Sequence, residues 1–323
     1  MIVKGAAAGG TIALVAPSSP FDPALVAKGR DMLEQAGYRT VAGKNLSRLL
    51  ETSMLPASDT RYPAPDIRHP IPAACLPYLA GSDRERAQDL CDAFSDPEVS
   101  AVVCVRGGYG SGRLLPLLPL DSLSKSGKMF LGHSDITFLH LALAGRAGMC
   151  TFHGPNLTGL AEQPERLGSV LDALCGRAAF EWKLGAEQVL RHGRVTGPVL
   201  GGNLTCLAHL VGTPYLPDLT GALLLVEDCC EALYRLDRII NHLKLAGILE
   251  KLGGILLGEF DRCAENGQIC SMVMDHVRAF GFPVVHSLPF GHCLRNDVIP
   301  FGVPFLLDTH ERVLRVVQNP VSV

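Results

Sequence analysis

Short apolar runs that stop at Gly, Pro or Ser, alternating with helical patterns, constrain this chain more than any other feature of it. Such alternation is the signature of strand-helix units wound into an α/β architecture with a largely parallel sheet. Thr11 to Ala16 reads as a strand that passes through Pro17, Ser18 and Ser19 into a helix with Leu25, Val26, Met32 and Leu33 at helical spacing. Arg84 to Phe94 reads as a helix, Ser100 to Val105 and Met129 to Leu131 as strands, and Ile136 to Leu143 as a helix. Further on come a short helix at Thr205 to Leu210, a buried strand at Ala222 to Val226 and an amphipathic helix at Glu231 to Leu245 with Leu236, Ile239, Ile240 and Leu243 on one face. Strands at Gly254 to Leu257 and Pro283 to Val285 follow.

The pattern breaks twice. Between Arg48 and Pro77 six prolines (Pro56, Pro63, Pro65, Pro70, Pro72, Pro77) remove backbone donors, so an irregular surface excursion is expected. After Pro155 periodicity fades until about Gly197. With 323 residues and roughly 100–200 per domain as a prior, this predicts a first domain at 1–160, a linker at 161–196 and a second domain at 197–323.

Lys+Arg 29 against Asp+Glu 32 leaves a net charge of -3, which gives a nucleic-acid backbone or an anionic membrane surface nothing to hold. No apolar stretch approaches the ~20 residues of a membrane span, so a cytoplasmic protein is expected. The eleven cysteines are scattered, odd in number and often inside apolar runs, which reads as small buried hydrophobes rather than disulfides. Without a CxxC pair or HExxH, neither a metal site nor a cofactor is expected.

In open α/β sheets, ligands gather at the carboxyl ends of the strands, so polar residues directly after apolar runs carry the candidate chemistry. Four such places occur. After Val105 come Arg106, Gly107, Gly108, Tyr109 and Gly110, whose backbone amides could meet an oxyanion or simply make a tight turn. The segment lacks the P-loop ending and does not fit GxGxxG. Gly132-His-Ser-Asp135 is a sharp turn that could be a nucleophile elbow presenting Ser134, or an ordinary helix cap. Glu227 and Asp228 end a buried strand and could orient a base or complement a helix dipole. His292 follows Gly291 in a loop rather than on an apolar helix face. Ser134, His292 and Glu227 together supply a nucleophile, a base and an acid to orient the base, in the chain order Ser, Glu, His.

Several segments carry a resemblance. Tyr78-Leu-Ala-Gly-Ser-Asp-Arg-Glu-Arg86, Arg106-Gly-Gly-Tyr-Gly110, Gly132-His-Ser-Asp-Ile-Thr137, Gly201-Gly-Asn-Leu204, Val226-Glu-Asp228 with Tyr234-Arg-Leu-Asp-Arg238, and Gly291-His292 with Pro300-Phe-Gly302 resemble the LD-carboxypeptidase family, in order, over nearly the whole chain. The resemblance implies a flavodoxin-like N-terminal domain, a β-rich α/β C-terminal domain and a serine carboxypeptidase cutting L,D-peptide bonds. It places the nucleophile on Ser134, the acid on Glu227, the base on His292 and the oxyanion donors on the amides of Gly108 and Asp135. Arg106, Tyr109, Asn203 and Arg295 become candidates for holding substrate. The implied substrate is a cytoplasmic murein tetrapeptide losing its terminal D-Ala during peptidoglycan recycling, with no nucleic-acid or membrane partner and room for a homodimer. Related members instead inactivate antibiotics of the microcin C type. A third reading, a non-catalytic module binding an anion through Arg106 to Arg113, belongs to a different class. The Pro-rich stretch 48–77 and the Cys229-Cys230 pair depart from the family pattern.

Overall fold

Thr11–Val15 is a central strand because all five residues are buried, and a strand covered by helices on both faces needs apolar side chains throughout. The computed structural model describes residues 2–52 and 76–322. In chain order, strands Thr11–Val15, Arg39–Ala42, Val99–Cys104, Met129–Gly132 and Thr151–His153 form one parallel sheet. Their spatial order is second, first, third, fourth, fifth, the flavodoxin-like arrangement, and it reverses direction between the first and third strands. A sixth strand, Ile299–Phe301, closes the edge antiparallel to Thr151–His153 and comes from the far end of the chain.

The second sheet has eight strands. Arg194–Asn203, Leu223–Cys229, Gly254–Asp261 and Val284–Val285 run parallel, and antiparallel neighbours extend the sheet on both sides. Residues 161–196, expected as a linker, carry helix Leu167–Leu174 and strands Glu181–Lys183 and Val189–Arg191, which pair into this sheet. Their periodicity is faint because both strands are only three residues long.

Helices begin where the chain offers caps. Asp22 accepts the Ala24 amide ahead of Pro23–Gln35, and Ser82 and Glu85 form a reciprocal capping box for Asp83–Ser95. Arg48 to Thr52 is not irregular as expected. It completes helix Lys44–Thr52, since no proline intervenes before Pro56. The remainder of that Pro-rich expectation falls on residues 53–75, outside the described residues, and on the short stretch that follows them. The ten described cysteines are free thiols; Cys104, Cys150 and Cys270 are buried, whereas Cys230 is exposed.

The two sheets share apolar packing. One continuous cluster runs from Val15, Cys104 and Phe130 through Leu139 and Leu143 to Leu204, Leu224, Leu236 and Ile240. A polar tie reinforces it, the Asn203 amide donating to Thr137 Oγ1 at 2.9 Å. The carboxyl ends of both sets of parallel strands therefore meet at one crevice.

Candidate active site

Strand Met129–Gly132 is wholly buried and delivers Ser134 at φ 66, a left-handed conformation that a residue with a side chain adopts only at a cost. That turn lifts the hydroxyl away from the helix that follows. Ser134 is no helix cap: the capping positions are His133 and Ile136, and neither end receives a side-chain cap bond. Its Oγ lies 3.1 Å from His292 Nε2, within the reach of a proton transfer.

The other side of the crevice supplies His292 and the carboxylate that anchors it. Strand Leu223–Cys229 buries Glu227 completely, and Glu227 Oε2 accepts both the His292 ring at Nδ1 (2.6 Å) and the His292 amide (3.1 Å). Holding Nδ1–H fixes the orientation of the ring, and in its neutral form Nε2 turns its lone pair toward Ser134. Burial alone lowers the pKa of His292, but the Glu227 carboxylate and the adjacent Cys229 side chain outweigh it and hold the imidazole well above its ordinary value. Gly291, at φ 98, is needed here: a Cβ would stand 2.4 Å from Glu227 Cγ.

The glycine loop closes the crevice at the point where the strand order reverses. A Cβ on Gly107 would lie 2.9 Å from Ser134 Cβ, and one on Gly108, at φ 107, would lie 2.4 Å from Ser19 Oγ. Glycine therefore lets backbone amides come close to the serine. Buried Asp135 ties the loops together, accepting from Ser18 Oγ at 2.6 Å and from the Ser111 amide at 2.8 Å. Ser19 Oγ accepts the Tyr109 amide at 3.0 Å. The serines at 18 and 19 follow the first strand at the switch point, which is the signal that could have marked them as part of the site.

The other candidates are scattered around this centre. Tyr109 is 52% exposed and meets Tyr78 edge-on. Arg106 donates to the Pro20 carbonyl, and Arg113 grips Asp83 with two nitrogens, so both arginines of the anion-binding reading have protein partners. Asn203 is buried on the strand beside Glu227, where its side chain caps helix Leu204–Leu210 and donates to Asp228 Oδ1. Arg295 pairs with Asp297 at 2.5 Å and lines a cavity of about 540 Å³ with Trp182, Glu259, Ser287 and Cys293, behind the His292 loop. A cavity of about 580 Å³ at the amino ends of the strands, beside Thr11 and Arg39, contains none of these groups.

Sequence reasoning missed a file of imidazoles beside the centre, with His133 half-buried and His140 and His153 buried. His133 meets His292 edge-on at 5.1 Å between ring centroids, His153 lies 6.0 Å behind His133, and His140 lies 6.3 Å from His153. Burial holds His133 and His153 far below the ordinary histidine pKa, and holds His140 down at about 4 against the hydrogen bond to the Gly132 carbonyl. Among the described residues no group of three or more His, Cys, Asp or Glu is arranged to hold a metal ion.

Comparison with known proteins fits this geometry. The family model of the LD-carboxypeptidase N-terminal domain matches residues 12–154, and that of the C-terminal domain matches residues 196–307. The chain belongs to the LD-carboxypeptidase family. A murein tetrapeptide carboxypeptidase of Pseudomonas aeruginosa is 37% identical over 72% of this chain and 80% of its own length. The crystal structure of a muramoyltetrapeptide carboxypeptidase from Oxalobacter formigenes superposes with a TM-score of 0.74 at 27% identity, covering 96% of this chain and 99% of that one. A microcin C7 self-immunity protein shares the fold, with a TM-score of 0.82 at 22% identity and 99% coverage of both chains. As a member of the LD-carboxypeptidases the chain is a peptidase of the carboxypeptidase class, and no helix among its described residues is long and apolar enough to cross a membrane.

Proposed function

We propose that this LD-carboxypeptidase is a serine peptidase that removes the terminal D-Ala from a murein tetrapeptide in the cytoplasm, during peptidoglycan recycling. The observation that carries the reading is the continuous hydrogen-bond chain from Ser134 through His292 to Glu227. Ser134 Oγ attacks the carbonyl carbon of the L,D bond while its proton passes to His292 Nε2. The amides of Gly108 and Asp135 receive the developing oxyanion. The C–N bond then breaks, His292 returns the proton to the departing D-Ala nitrogen, and water, deprotonated by the same imidazole, releases the acyl group from Ser134. Glu227, bonded to Nδ1, stabilises the imidazolium. Exposed Tyr109, together with Arg106 and Arg295, is assigned to contact with the peptide, while Asn203, which donates to Asp228 Oδ1, sets the position of the strand end beside Glu227.

Incubating the protein with murein tetrapeptide and identifying the products by mass tests the reading. Free D-Ala and the matching tripeptide are expected. An intact tetrapeptide, with cleavage of a microcin C-type conjugate in its place, would move the enzyme to the immunity branch of the same chemistry.

A further inference from the structure

His292 sits in a loop without regular secondary structure, yet its ring must stay within about 3 Å of a serine carried by a different sheet. Bonds from residues 291–296 to partners other than Ser134 mostly run within the loop or to the second sheet. The Gly291 amide donates to Asn296 Oδ1 at 3.0 Å, the Cys293 amide to the Gly291 carbonyl at 2.9 Å, and the His292 amide to Glu227. One side chain reaches across. Arg166 donates from Nη2 to the Cys293 carbonyl at 2.7 Å and from Nε to the Leu294 carbonyl at 2.8 Å, the two residues directly after His292. Its third nitrogen, Nη1, donates to the Gly159 carbonyl at 3.2 Å.

Gly159 belongs to the nucleophile side. It lies in helix Leu157–Glu162, whose first five residues are buried, and the neighbouring Thr158 amide donates to the Val105 carbonyl at the end of a first-sheet strand. That helix follows strand Thr151–His153, which pairs with the strand leading to Ser134 through Leu131 and Gly132. Arg166 thus joins three carbonyls with one planar group, one on the serine side and two on the histidine side.

Resting on the serine reading above, we propose that Arg166 is a positioning residue that holds the His292 loop against the nucleophile sheet. A guanidinium can satisfy carbonyls in several fixed directions at once, whereas an ammonium is a point donor and a neutral amide has neither the reach nor the charge. Misplacement of a base by about 1 Å costs on the order of 10²-fold in rate, so loosening the loop acts on the chemical step rather than on substrate affinity.

The test compares wild type, Arg166→Lys, Arg166→Gln and Arg166→Ala in two assays. One is steady-state release of D-Ala from murein tetrapeptide. The other is phosphonylation of Ser134 by a fluorophosphonate, in which the Ser134 proton passes to His292, the O–P bond forms and fluoride leaves, with no peptide specificity involved. For Arg166→Gln, kcat and the labelling rate should both fall roughly 10- to 100-fold while KM stays within about two-fold. Arg166→Lys should fall between, and guanidinium ion added to Arg166→Ala should restore part of the labelling rate. Wild-type rates in Arg166→Gln would overturn the proposal. So would a loss that follows the drop in thermal midpoint across the series and is untouched by guanidinium, since that is a purely structural role. Wild type that is labelled at Ser134 but releases no D-Ala removes the substrate reading and leaves Arg166 to be judged on labelling. Wild type that is not labelled removes the serine reading and Arg166 with it.

Discussion

Ser134 and His292 are held in place by different means. Ser134 follows a four-residue buried strand paired on both sides within a parallel sheet, and its φ of 66 is imposed by the backbone on either side of it. The His292 loop is held by side chains: Glu227, which accepts from the His292 ring and amide, and Arg166, both from distant parts of the chain, and Asn296 within the loop. A backbone-determined position tolerates changes in side chains. A side-chain-determined position is lost one contact at a time. The first side of the site should therefore respond to substitution in chemistry alone, and the second in both chemistry and geometry.

The largest effect expected is on the serine side. Ser134→Ala should lower kcat by about 10⁴-fold or more while leaving unfolding free energy within about 1 kcal/mol, because the hydroxyl makes no cap bond and Ala faces the same backbone cost. Activity assays and urea denaturation on one preparation check both halves. A clearly destabilised variant would mean that Ser134 contributes to folding after all. Next comes Glu227→Gln, which keeps the shape but removes the charge holding the imidazole tautomer. A loss of up to about 10⁴-fold in kcat is expected. Gly291→Ala should damage the histidine side through geometry, since its Cβ would meet Glu227 at 2.4 Å and its φ of 98 disfavours a side chain. A stability loss of about 1–3 kcal/mol should accompany the fall in activity. Gly291→Ala with native stability and native rate would show that the loop adjusts freely.

Much of the serine side was readable because its determinants are local. The strand Met129 to Leu131, the Gly-x-Ser-Asp turn and the following helix are contiguous, and so are the glycines of 107 to 110. Glu227 was legible as the polar end of an apolar run, and His292 by its loop context and family motif. The remainder depended on residues brought together from distant positions. Nothing near Arg166 in sequence shows that it meets Cys293 and Leu294, 127 and 128 residues away. Nothing near Pro300 shows that Ile299–Phe301 completes the first sheet, which interlocks the two halves more closely than a simple linker picture. The helical cap alternative for Ser134 could be settled only by the φ angle and the hydrogen bonds, which local residue preferences leave open.

A smaller effect sharpens the comparison through pH. His133, His140 and His153 on the serine side have pKa values below their unfolded value, so the stability present above about pH 6.5 is lost as pH falls toward the folded values. For His140, with a folded pKa of about 4, the stability lost between neutral pH and full protonation is about 3 kcal/mol. His292 has the opposite sign: raised in the folded state, it stabilises below about pH 6.5 and loses that contribution as pH rises through its folded value. Urea midpoints from pH 8 to 4.5 should fall on the acid side. His140→Gln, which can still donate to the Gly132 carbonyl but cannot titrate, should flatten that fall. An unchanged slope would remove His140 from the acid response. The smallest expected effect is that of EDTA, which should leave activity unaltered, the described residues offering no metal-ligand cluster.

The central claim is that Ser134 and His292, fixed by separate parts of the molecule, act as one unit. A double-mutant cycle on D-Ala release measures this directly, with Ser134→Ala, His292→Ala and the pair assayed under identical conditions. Once either member is gone the other has nothing to act on, so each single variant and the double should lose similar amounts of kcat, with strongly non-additive free energies. Free energies that add in full, or a single variant that keeps most of its activity, would contradict a shared proton between Ser134 Oγ and His292 Nε2.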